Sequence, residues 1–175
     1  MDSMQTVAWW PIVVVVVIAT VTDLRSRRIP NWLAFPFILA GIVTSTVVGG
    51  WAGLGQSALG ILTGAVLMGL LYVLGGMGMG DVKLCVGVGA WVGPHQLLTA
   101  LAFMGLAGGV MVFGWALCRG FLRELLTGSG DLIVSFGKRG LRPHPTLVLS
   151  NPATRRMPYA PAIAAGAILS FFAQQ

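Results

Sequence analysis

Residues 8–28 read AWWPIVVVVVIATVTDLRSRR, an uncharged apolar run that stops at an aspartate and three arginines. Roughly 17–25 apolar residues cross a bilayer as a helix, and Lys and Arg flanking such a run mark its cytoplasmic side. A cleaved secretory leader would also occupy this place. However, no basic stretch precedes the apolar run, and Asp23 with its arginines follows where a small-residue cleavage site belongs. We read the stretch as a retained first span, about Ala8–Val21.

The rest of the chain has the same character. Hydrophobic residues make up 56% of its 175 positions and charged residues 9%. A soluble domain carries roughly 25% charged residues, so a water-soluble core is excluded. Further spans are expected at about Trp32–Val48, Ser57–Leu74, Val82–Val92, Leu97–Leu117 and Pro158–Ala173. A charge-free turn, Gly49 to Gln56, separates the second from the third, and Gly93-Pro94 separates the fourth from the fifth. The expected fold is an all-α polytopic bundle of about six transmembrane helices, one membrane-embedded domain over residues 1–175. A polar cytoplasmic segment at about 118–157 interrupts it, with an amphipathic helix expected near Phe121–Leu126.

Charge placement orients the bundle. With six crossings all eleven Lys and Arg fall on one side: three at 25–28, Lys83, and seven between 119 and 156. The other side holds only Asp2. Such one-sidedness places both termini outside and the basic loops in the cytoplasm. The net charge of +6 is then a topology signal with an attraction to anionic membrane lipids, and it calls for no nucleic acid. Cys85 and Cys118 form no CxxC pair and read as packing residues. His95 and His144 read as surface residues, and Trp9, Trp10 and Trp51 suit an outer aromatic belt.

Ionisable groups beside apolar spans are rare and expensive. Of the five acidic residues, Asp23 and Asp81 each abut a span, and the topology brings both to the cytoplasmic boundary. Two carboxylates at one depth suit an aspartyl protease: one stays ionised to activate water and the other stays protonated to polarise the scissile carbonyl. Gly75, Gly76, Gly78 and Gly80 precede Asp81 and let an extended substrate strand approach the backbone. Taken singly, each aspartate also has a plainer reading. Asp81 serves equally as an N-cap of the fourth span, and Asp23 as an interfacial charge offsetting the arginines. Pro30-Asn31 opens the second span. Two other functions fit a small polytopic protein: a cation transporter, which calls for charges deeper in the spans, and a non-catalytic assembly component, which would be favoured by loss of one aspartate.

The combination of motifs is more specific than any one of them. Asp23-Leu24-Arg25-Ser26-Arg27-Arg28-Ile29-Pro30-Asn31 resembles the D-x-R-x-x-x-I-P-N pattern of type IV prepilin peptidases. Gly78-Met79-Gly80-Asp81-Val82-Lys83-Leu84 is similar to their GxGD-x-K-L motif, and Met157-Pro158-Tyr159-Ala160-Pro161-Ala162-Ile163 with Gly166 to the start of their last span. The resemblance implies that Asp23 and Asp81 are the catalytic pair, with Gly78, Gly80, Lys83, Pro30, Asn31 and Pro158 binding substrate or supporting the site. It implies a membrane aspartyl endopeptidase of the bacterial inner membrane, with no metal and no cofactor. Such an enzyme removes the short basic leader of a prepilin or pseudopilin at the cytoplasmic face. The larger members add paired CxxC motifs and N-methyltransferase activity. This chain has neither CxxC motif, so methylation is not expected, and it looks most like the short members that serve tight-adherence (Flp) pili.

Overall fold

The computed structural model describes residues 3–26, 29–74, 77–120 and 159–173. Among them are four helices: α1 (Ser3–Ser26), α2 (Asn31–Val73), α3 (Met79–Arg119) and α4 (Ala160–Phe172). Chains this rich in Val, Ile and Gly become helical because lipid offers the backbone no hydrogen-bond partners, so each N–H and C=O must be satisfied within its own segment. Three of the helices, α1, α2 and α3, are long and apolar enough to cross a membrane, and α4 is a shorter apolar helix.

Helices α2 and α3 are not straight rods. Gly50 (φ 59°, ψ −143°) breaks α2, and Gly93 (φ 75°, ψ −179°) breaks α3. At each break the chain turns back on itself. Past Gly50, Gly53 lies against the Ser45 carbonyl. Past Gly93, Met104 Sδ comes within 4.0 Å of Cys85 Sγ. The expected break at Gly93-Pro94 is therefore present. The turn expected over Gly49–Gln56 is corrected: it contracts to Gly50, and the neighbouring residues stay helical. A backbone that keeps its i→i−4 bonds up to one positive-φ residue leaves few polar groups exposed to lipid. An L side chain at such a position costs on the order of 1–3 kcal/mol. We expect Gly93→Ala to lower the thermal unfolding midpoint in detergent, and Gly49→Ala, where a Cβ meets nothing within 4 Å, to leave it unchanged.

The core is built from small residues and a few large ones. On α1, Ala8, Ile12, Val16, Ala19 and Asp23 are buried, a single stripe at helical spacing. This stripe packs chiefly on α4, with Trp9 meeting Phe171 edge-on at 4.7 Å and Phe172 at 5.7 Å. Since Trp9 meets Phe171 at one end and Asp23 meets Ala160 at the other, α1 and α4 run antiparallel. Trp9 is thus a packing residue, unlike Trp10 and Trp51, which are 70% and 87% exposed.

Where α2 crosses α3, Gly60 and Gly89 meet backbone to backbone, and a Cβ on Gly60 would strike the Gly89 carbonyl. Close crossings of this kind are how helices associate in lipid, where no hydrophobic force draws them together. Asn31 meets Lys83 near the start of each helix and Ser45 meets Ala90 further along, so the first part of α2 runs beside the first part of α3 in the same direction. Trp91 Nε1 donates to the Phe37 carbonyl at 2.9 Å and Ser45 Oγ to the Ala90 carbonyl at 3.1 Å. Cys85 is buried as expected, whereas Cys118 is exposed. The expected helix near Phe121–Leu126, together with His144, Met157 and Pro158, lies outside the described residues.

Candidate active site

One end of the bundle gathers the residues singled out above. Asp23 sits in the last turn of α1 and Asp81 in the first turn of α3, while Asn31 opens α2 and Ala160 opens α4. Asp23 is only 7% exposed. Its Oδ2 accepts a hydrogen bond from the Ala160 N–H at 3.2 Å. That N–H belongs to the first turn of α4, whose own N-cap, Tyr159, supplies no side-chain cap. A carboxylate at a helix N-terminus satisfies an orphan donor and complements the helix dipole. Asp23 therefore caps a helix 137 positions away in sequence.

Asp81 is placed differently. The N-cap of α3 is Gly78 (φ −81°, ψ 148°), so Asp81 stands three residues into the helix rather than at the cap itself. Its carboxyl reaches back to the Gly78 backbone N–H, the half of a capping box contributed by the third helical residue. A Cβ on Gly78 would stand 3.2 Å from Asp81 Oδ2, so the missing side chain leaves that face of the carboxyl open. The charge of Asp23 acts on Asp81; the two carboxyls are within electrostatic reach of each other. The phenol of Tyr159 is also within reach of Asp81, and its ring packs over Gly108.

The remaining motif residues assemble around this pair. A Cβ on Gly80 would meet Ile29 Cβ at 3.1 Å, so the glycine motif packs on the Ile-Pro-Asn string. Pro30 is the N-cap of α2 in extended conformation (φ −73°, ψ 144°), and its carbonyl accepts from Leu33 N and Ala34 N. Lys83 Nζ donates to Asn31 Oδ1 at 2.8 Å. Gly75, Gly76, Arg27 and Arg28 lie outside the described residues. Sequence reasoning missed the Ala160 N–H and the Gly80–Ile29 contact. The first had a faint signal, since Tyr159-Ala160-Pro161 begins a helix with no capping side chain of its own. No group of three or more His, Cys, Asp and Glu able to hold a metal ion occurs among the described residues.

The wider comparison agrees with the motifs. The model of the type IV leader peptidase family matches residues 10–134, a stretch that contains both aspartates. This chain belongs to that family. Among curated proteins it is 33% identical over 112 residues to the prepilin leader peptidase/N-methyltransferase of Aeromonas hydrophila, covering 60% of this chain and 38% of that one. It is 32% identical over 158 residues to the protein of the same name from Bacillus subtilis (strain 168), covering 89% of this chain and 51% of the relative. This chain thus aligns with between 38% and 51% of the length of these relatives. No solved structure matches it.

Proposed function

We propose that this leader peptidase homologue is an inner-membrane aspartyl endopeptidase that removes the basic leader of a prepilin or pseudopilin at the cytoplasmic face. The observation that carries the reading is the approach of Asp23 and Asp81, brought from the end of α1 and the start of α3 to one end of the bundle. Capping alone explains each aspartate separately; it gives no reason for two carboxyls to share one place, where like charges work against each other.

In this mechanism a water lies between the two carboxyls. One, ionised, takes its proton as the water attacks the scissile carbonyl; the other, protonated, donates to the developing oxyanion. The substrate helix docks laterally against the bundle, and its start unwinds over the glycine-rich turn that leads into Asp81. The breaks at Gly50 and Gly93 support a reading of α1 to α4 as six crossings, and the one-sided charge supports placing both termini outside and the aspartates inside. Leader cleavage is the one activity proposed for this chain; the second activity in the relatives' names is not carried over to it.

The test is co-expression with a tight-adherence prepilin, read by gel shift and by the mass of the mature N-terminus. Removal of the leader by the wild type, absent in Asp23→Asn and Asp81→Asn, is the expected result. A well-inserted wild type that leaves a panel of prepilins and pseudopilins intact overturns the reading.

A further inference from the structure

Lys83 lies two residues past Asp81, where its charge would be expected to act on that carboxyl. Its ammonium is turned elsewhere. Nζ donates to Asn31 Oδ1 at 2.8 Å across 52 positions of sequence, and it stands 5.3 Å from the centroid of the Phe35 ring. Asn31 and Phe35 are four residues apart on α2 and so share a face. On the same turn of α3, Gly80 is close enough to Ile29 that an added Cβ would stand 3.1 Å from the Ile29 Cβ. The first turn of α3 is therefore held to the start of α2 twice, by an apolar contact ahead of Asp81 and by a charged hydrogen bond behind it. Only the short connection between Ser26 and Asn31 separates the start of α2 from the end of α1, which carries Asp23.

We propose that Lys83 is a positioning residue that works through the Asn31 side chain. The Lys83–Asn31 clasp fixes the turn bearing Asp81 against the start of α2, the element that follows α1 and its Asp23 in the chain, and so sets the separation of the two carboxyls. This rests on the peptidase reading and deepens it. Its chemical requirement is a long side chain ending in a donor at 83 and an acceptor at 31. If a charge near Asp81 were what mattered, Asn31→Ala, which leaves that charge in place, would keep the full rate.

The experiment is steady-state cleavage of a tight-adherence prepilin by the purified full chain in detergent. The proteins compared are wild type, Asn31→Ala, Lys83→Met, the double variant, Asn31→Asp and Lys83→Arg, with Asp81→Asn as the blank. Misplacing a catalytic group by about 1 Å can cost about a hundredfold. Asn31→Ala and Lys83→Met are each expected to lower kcat by about ten- to a hundredfold, with KM within about twofold of wild type. The double variant should be no slower than the slower single, since both remove one interaction. Asn31→Asp and Lys83→Arg, which keep an acceptor and a donor, should restore most of the rate. The clasp is refuted by a Lys83→Met loss that Asn31→Ala does not share, by losses that multiply in the double variant, or by effects confined to KM. Thermal unfolding of each variant separates a lost clasp from a lost fold, and the two conservative variants keep the test open if either truncation fails to fold. A wild type that cleaves nothing overturns the peptidase reading itself; a cleaving wild type with any of the refuting patterns overturns only the clasp.

Discussion

Asp81→Asn is expected to insert and fold like the wild type and to cleave prepilin at least about a hundredfold more slowly, the usual contribution of a positioned acid or base being about 10²–10⁴. Asparagine keeps the size of the side chain and an oxygen that can face the Gly78 N–H, so the first turn of α3 has no reason to fray. Asp23 makes the same experiment more informative, because its carboxyl also holds the Ala160 N–H. Asp23→Asn retains an acceptor for that bond and should lose cleavage while keeping its unfolding temperature. Asp23→Ala loses both, and losing a cap of this kind costs about 1 kcal/mol. Cleavage rates and unfolding midpoints for the three variants therefore separate chemistry from capping. An Asp23→Asn protein with near-normal cleavage would remove Asp23 from the catalytic pair.

The second large effect is structural. Gly60→Val should abolish the folded protein, because its first added carbon already collides with the Gly89 carbonyl oxygen and the obstacle is backbone, not a side chain that can swing away. Overpacking a core whose side chains and backbone can shift to make room costs about 1–3 kcal/mol; here α2 and α3 would have to separate along their crossing. Gly69→Ala is the matched control, since a Cβ there meets nothing within 4 Å and alanine is the better helix former. The readouts are the monodisperse fraction after size-exclusion in detergent and the thermal midpoint. A folded, active Gly60→Val protein would mean that the two helices do not cross at that point.

Much of this was written plainly in the residues, for physical reasons. Apolar runs without charge can only be helices in lipid, so the positions of the helices followed from hydropathy and from Gly93-Pro94. The breaks were harder to place. Gly49, Gly50, Gly53 and Gly55 look alike in sequence, yet Gly50 alone takes a positive φ, while Gly53 is there to let the returning helix pass the Ser45 carbonyl. Which glycine turns and which one packs depends on a neighbour that local sequence does not name. The same holds for Trp9: its partner, Phe171, is found only once α1 and α4 lie side by side. At the candidate site the aspartates and the flanking motifs were legible because charge and glycine are conspicuous in so apolar a chain. The Ala160 donor was not, because a backbone N–H has no letter of its own.

The cap that Asp23 provides also bears on how such proteins decay. A lineage that abandoned cleavage but kept the bundle would feel no pressure to hold carboxyls at 23 and 81, yet it would still need an acceptor at each. Drift should then be channelled: position 23 toward asparagine or serine, which can still receive the Ala160 N–H, and position 81 toward residues that can bond back to Gly78. Inactive descendants would keep the outline of the active pair in short polar side chains, and loss of both acidic groups without loss of either cap would be the mark of retirement from catalysis.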